Sequence, residues 1–145
     1  MNKKIIFVTG TRADWGKLKS LVEETASQNF DVYLFITGMH NDPKYGNTYL
    51  DVQRVENVTF QRFNNKTDET TMDLTVSKTI NGFSKYVEKI NPDLIVVHGD
   101  RPEPLACAIV GSFKNILVAH IEGGEISGTI DELIRHSISK ISHIH

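Results

Sequence analysis

The residues able to do chemistry fall in four short clusters. The first is the stretch 9–17, which holds Gly10, Arg12, Asp14 and Lys17. The second is His98-Gly99-Asp100-Arg101, and the third is His120-Ile121-Glu122-Gly123-Gly124-Glu125. The fourth brings Asp131 and Glu132 close to Arg135 and His136. Carboxylates beside cations suit proton abstraction next to a phosphate-bearing leaving group. A general base needs a carboxylate tuned by its surroundings, and a departing phosphate needs positive charge. Gly10 permits close backbone approach, and a helix opening just after it offers N–H groups to an anion. The stretch is neither a phosphate-binding P-loop nor a dinucleotide fingerprint, because only Gly10 and Gly16 are present and no Lys-Ser/Thr pair follows. His98, His120 and His136 stand in three separate segments without a close ligand pair, so no metal is expected. Each cluster also has a plain structural reading. Arg12 and Lys17 can be surface cations, Asp14 and Asp100 helix N-caps, and Glu122 an exposed acid in a glycine turn. Asp131 and Glu132 suit the first turn of a helix capped by Ser127 or Thr129.

These clusters need a scaffold, and the hydrophobic pattern supplies one. Ile5–Val8 is a continuous apolar run, read as a strand buried on both faces. Trp15, Leu18, Leu21 and Val22 then share one face of a helix ending near Asn29. Val32–Ile36 is a second strand, 38–47 a polar loop, Tyr49–Val55 a short helix, and Val58–Phe63 a third strand. Val76, Ile80, Phe83, Val87 and Ile90 step by three and four residues, the clearest amphipathic helix in the chain, and Asn91-Pro92 ends it. Leu94–Val97 is a fourth strand, Arg101–Phe113 a helix with its two prolines in the first turn, and Ile116–Ala119 a fifth strand. Asp131–Lys140 is a last helix with Leu133, Ile134 and Ile138 inward. Apolar strands alternating with helices predict a doubly wound, Rossmann-like parallel α/β sheet, in which ligands bind at the carboxyl ends of the strands. All four clusters follow strands or open helices at that end.

Composition narrows the classes further. With 145 residues, 39% hydrophobic content and a net charge of −2, the chain fits one globular domain. No basic run suggests nucleic acid, and no apolar stretch approaches the roughly 20 residues of a membrane helix. The lone Cys107 lies in an apolar run and is read as core. Met1–Lys4 leads straight into a strand without a signal-peptide pattern, which makes a reducing cytoplasmic setting the expectation. Residues 141–145 alternate like the start of another strand, which suggests that the domain breaks off there.

Together, and in this order, the four clusters resemble the hydrolysing UDP-N-acetylglucosamine 2-epimerases. The Gly-Gly-Glu continuation and the Arg-His pair are most similar to the branch serving sialic and legionaminic acids. The resemblance covers the whole chain but only the family's amino-terminal half. It implies one of two Rossmann-like domains of a glycosyltransferase-B arrangement, with the carboxy-terminal nucleotide-binding domain absent. It also implies anti elimination of UDP followed by hydration to N-acetylmannosamine, a UDP-sugar substrate, no cofactor, and a homodimer formed through helices 70–90 and 101–113. By position, Asp100, Glu122 and Glu132 match the catalytic carboxylates. Arg12 and Lys17 match cations near the pyrophosphate, with Gly10, Arg135 and His136 as further substrate contacts. An isolated half is expected to be inactive. Two other readings fit the residues: a glycosyltransferase of the same architecture, which paired acids suit less well, and a non-catalytic binding or oligomerisation domain.

Overall fold

The computed structural model describes residues 1–66, 71–122 and 130–145. Its elements are β1 (Lys3–Thr9), α1 (Arg12–Ser27), β2 (Phe30–Ile36), α2 (Tyr49–Val52), β3 (Val58–Arg62), α3 (Met72–Ile90), β4 (Leu94–His98), α4 (Pro102–Phe113), β5 (Leu117–Ile121) and α5 (Ile130–Ile141). The strands form one sheet in the order β3-β2-β1-β4-β5, with every neighbouring pair parallel. The doubly wound α/β expectation therefore holds. The chain winds outward from β1 through β2 to β3, then returns to β4 on the other side. The topological switch point, where such sheets bind ligands, lies between β1 and β4.

Alternation along each strand feeds two cores. Ile6, Val8, Phe35, Ile95, Val97 and Val118 pack with Phe83 and Val87 of α3, Cys107 of α4, and Ile134 and Ile138 of α5. On the opposite face, Ile5, Phe7, Val32, Leu34 and Val96 pack with Trp15, Leu18 and Val22 of α1 and Val52 of α2. A central strand covered on both faces must be apolar throughout, which is why β1 and β4 read as unbroken runs. Cys107 is fully buried, and that burial pushes its thiol well above the ordinary range. Asn91 closes α3 in the left-handed region, its N–H donating to the Val87 carbonyl at 2.7 Å. No helix among the described residues is long and apolar enough to cross a membrane.

Several local expectations are corrected. The apolar spacing sets Leu21 on the face of Trp15, Leu18 and Val22 and turns Leu133 inward, yet both leucines are exposed. At about 100° per residue, Leu133 sits a full quarter-turn from Ile134, on the side away from Ile138, and Leu21 lies at the rim of the arc centred on Leu18 and Val22. The fifth strand starts one residue later and runs to Ile121, and α2 stops at Val52. The loop after β2 holds two short 3-10 turns, Gly38–Asn41 and Pro43–Tyr45. At the end of the chain, Ile141 still belongs to α5, and strand-like pairing begins only at Ile144, which bridges Ala119 in parallel.

Candidate active site

The loop after β1 is built around Asp14. Thr11, not Asp14, is the N-cap of α1: its hydroxyl accepts from the Asp14 N–H at 3.1 Å, and Asp14 reaches back to the Thr11 N–H at 3.1 Å. This is a capping box, with the acid three residues past the cap. The Asp14 carboxylate also accepts from the Gly10 N–H at 3.0 Å and from the Thr9 hydroxyl. Burial pushes its carboxyl above the ordinary range, while these hydrogen bonds pull the other way. The box takes up N–H groups that the sequence suggested were open to an anion. Among the described residues the N–H groups of Arg12 and Ala13 have no partner, and the side chains of Arg12 and Lys17 are exposed. Gly10 is buried, and a Cβ there would meet the Glu103 carboxylate at 3.5 Å, an ordinary contact. Beside it, Gly38 excludes a side chain, with φ +59° and a Cβ that would stand 2.8 Å from the Gly10 carbonyl oxygen.

Across the switch point, β4 and β5 end side by side, joined by the Gly99 N–H to the Ile121 carbonyl at 3.0 Å. Asp100 follows β4 and is half-buried. The N-cap of α4 is Arg101, so Asp100 does not cap that helix. Among the described residues its carboxylate makes no hydrogen bond or ion pair. Arg101, its neighbour in sequence, sits 3.8 Å from Glu103. Glu122 follows β5 with φ +61°, which turns its side chain back toward α1. One carboxylate oxygen is 3.1 Å from Lys17 Nζ, and the other accepts from His98 Nε2 at 3.0 Å. Lys17, then His98, hold the Glu122 carboxyl below the ordinary range. His120 is structural: Nε2 donates to the Gly99 carbonyl at 2.7 Å, leaving Nδ1 to accept from the Ser139 hydroxyl at 3.0 Å.

The acids of α5 form a separate group. Glu132 lies 3.5 Å from His136 and 3.8 Å from Arg135. The side chain of Arg135, a substrate contact by the resemblance, is only 2% exposed. Among the described residues its Nε and Nη2 have no hydrogen-bond partner. Gly123, Gly124, Glu125 and the candidate caps Ser127 and Thr129 lie outside the described residues. Among the described residues no cluster of His, Cys, Asp or Glu is disposed to hold a metal ion.

The sequence reading missed a buried polar network beside this site. Glu103, in the first turn of α4, is buried, accepts from Asn65 Nδ2 at 3.1 Å, and has its carboxyl pushed up by that burial. Asn65 also bonds Thr79 at 3.0 Å and accepts the Gly38 N–H at 3.2 Å. A cleft of about 670 Å³ opens beside these residues, lined by Gly38, Met39, Asn65, Lys66, Arg101 and Glu103 among others. One signal was legible: Glu103 is a lone acid heading an apolar helix, where an unpartnered charge would be costly.

A family model described as UDP-N-acetylglucosamine 2-epimerase matches residues 23–145. The chain is 46% identical over 144 residues to the UDP-N-acetylglucosamine 2-epimerase of Neisseria meningitidis, covering 99% of this chain and 38% of that protein. It is 38% identical over 151 residues to the UDP-N,N'-diacetylbacillosamine 2-epimerase (hydrolyzing) of Legionella pneumophila, covering 100% of this chain and 40% of that one. The crystal structure of the Methanocaldococcus jannaschii UDP-GlcNAc 2-epimerase in complex with UDP-GlcNAc and UDP superposes with a TM-score of 0.83 at 27% identity, over 96% of this chain and 38% of that one. The chain thus spans about two fifths of the length of these relatives. With a parallel sheet of matching architecture and a family model reaching from α1 to the last residue, the chain belongs to the UDP-N-acetylglucosamine 2-epimerase family.

Proposed function

We propose that this chain is the amino-terminal half of a hydrolysing nucleotide-sugar 2-epimerase that converts UDP-N-acetylglucosamine to N-acetylmannosamine and UDP. The observation that carries the reading is the Lys17–Glu122–His98 cluster at the switch point, with Asp100, which has no partner among the described residues, on the adjoining strand end. A carboxylate takes the proton from carbon 2 while the carbon 1–oxygen bond breaks and its electron pair leaves with UDP. Water then returns a hydroxyl to carbon 1 and a proton to carbon 2 on the opposite face. Asp100 and Glu122 exchange these protons, and Glu132 supports them, itself flanked by Arg135 and His136. Lys17 links the two ends of the reaction. An arriving diphosphate competes with Glu122 for its ammonium, and a Glu122 released from Lys17 becomes a stronger base. Arg12 supplies the second cation. No cofactor enters these steps.

The hydrolysing outcome is supported by the description of the Legionella relative, and the sialic or legionaminic acid branch by the residues after Glu122. The remaining three fifths of a relative's length corresponds to a second domain that closes over the nucleotide. Without it the sugar is not held against the acids, so the chain alone does not turn over. The same reading makes the protein a cytoplasmic homodimer built through α3 and α4. The test is turnover of UDP-N-acetylglucosamine in deuterated water, followed by NMR. The protein with its second domain releases UDP and N-acetylmannosamine deuterated at carbon 2, and Asp100→Asn and Glu122→Gln abolish this, whereas the 145-residue chain is silent. Side-by-side Asp131→Asn and Glu132→Gln variants identify the working acid of α5. UDP release without aminosugar would overturn the reading.

A further inference from the structure

A chain of buried hydrogen bonds runs beneath the β1–α1 loop and plays no part in the reaction just described. Thr9, His40, Thr48 and Asp14 are all buried, and they come from β1, the 3-10 turn after β2, the start of α2 and the first turn of α1. Their proton order is determined. Thr9 has one hydroxyl proton and gives it to the Asp14 carboxylate, which as an anion can only accept. The 2.8 Å contact between Thr9 Oγ1 and His40 Nε2 must therefore be donated by the imidazole. His40 Nδ1 is then unprotonated and accepts from the Thr48 hydroxyl at 2.8 Å. Burial favours this neutral ring, holding its acidity near a pKa of about 4, with Asp51 the charge that opposes the shift. Asp14 passes the constraint outward, because the same carboxylate receives the N–H groups of Gly10 and Thr11. Arg12 follows directly, and Lys17 lies one turn further along α1.

We propose that His40 is a positioning residue, whose Nε2–H, acting through Thr9 and Asp14, fixes the shape of the 9–14 segment that presents Arg12, and Lys17 further along α1, to the diphosphate. The proposal rests on the reading of that loop as the diphosphate end of the site. A hydrophobic residue of similar bulk would fill the space but leave Thr9 without its donor. Glutamine can return an N–H to Thr9.

The experiment uses the folded chain and three NMR readouts, with inorganic pyrophosphate and UDP as probes. The ring nitrogen shifts of His40 are expected to report protonated Nε2 and bare Nδ1, unchanged from pH 7 to pH 5. In His40→Leu, amide exchange at Gly10 and Thr11 should quicken by about tenfold relative to amides in β2 and α3, as for loss of one buried hydrogen bond. The shifts that pyrophosphate induces at Arg12 and Lys17 should weaken alongside, and His40→Gln should restore both. A uniform loss of protection would mark His40 as merely structural. An Nδ1–H tautomer, or unchanged exchange in His40→Leu with pyrophosphate still bound, overturns the proposal alone. A wild-type loop that ignores both pyrophosphate and UDP overturns the functional reading, and with it the purpose assigned to His40.

Discussion

Carboxylates stand at the carboxyl ends of β1 to β3 and again at those of β4 and β5, but in opposite states. Around the first three strands, Asp14 and Glu103 are buried, and their neighbours His40, Asn65 and Thr79 are buried with them. Each acid is satisfied from inside the protein, and burial raises both carboxyls. Around β4 and β5, Asp100 and Glu122 are partly open to solvent. Asp100 has no partner among the described residues, and Glu122 is held ionised by Lys17 and His98. The same residue types therefore do different work a few ångströms of sheet apart. A buried acid surrounded by donors fixes backbone geometry and has nothing left to offer a substrate. An exposed acid paired with a mobile cation contributes little to stability and is free to exchange partners.

If the comparison is right, the two regions separate sharply in stability measurements. The largest effect is expected for Asp14→Ala, which strands the N–H groups of Gly10 and Thr11 and the Thr9 hydroxyl. We expect a loss of about 3 kcal/mol by urea denaturation, against within about 0.5 kcal/mol for Glu122→Gln. Equal losses would break the comparison. Next is pH. The folded-state pKa of His40, about 4, lies below its unfolded value of 6.5, so its contribution is full above pH 6.5 and lost as pH falls through 4. That contribution is up to about 3 kcal/mol. Asp14 and Glu103, with raised carboxyls, act with the opposite sign: the stability they add is full at acid pH and lost as pH rises through their folded values. The acid limb of the stability profile should therefore be shallower in His40→Gln than in the wild type, and an identical limb would show that the ring is not buried neutral. Third, Gly38→Ala forces a Cβ at positive φ against the Gly10 carbonyl, for a loss of about 2 kcal/mol in the same denaturation assay. The smallest effect belongs to Lys17→Ala. Lys17 is 62% exposed, and its pair with Glu122 should be worth less than about 1 kcal/mol and should vanish at high salt. In the same variant the Glu122 carboxyl should titrate closer to its ordinary range, as read by carbon-13 NMR.

Much of the fold was legible because the signals are local. Strands covered on both faces read as unbroken apolar runs, and the 3.6-residue stripe of α3 needs no knowledge of its partner. The placement of Glu122 beside the end of β4 was legible only on the condition that β4 and β5 are neighbours, which holds here although the consecutive β3 and β4 lie apart. The role of Asp14 was half legible. Thr11-x-x-Asp14 has capping-box spacing, but nothing local says that the acid also binds Thr9 and Gly10. The Leu21 and Leu133 errors came from treating the buried arc of a helix as wider than its neighbours allow.

By itself, the sequence determined the order of strands and helices, the end of the sheet where the polar clusters gather, and a family likeness that the comparisons bear out. Those depend on periodicity and on the order of motifs along the chain, both of which are properties of short segments. The tertiary structure alone decided which acids are buried, which cation faces which carboxylate, and that Thr9, His40 and Asp14 meet beneath the β1–α1 loop. Asn65 and Glu103 stand 38 residues apart, and Lys17 and Glu122 further still. Hydrogen bonding and desolvation act through space, and it is the parallel pairing of β1 with β4 at the centre of the sheet that brings these residues within reach.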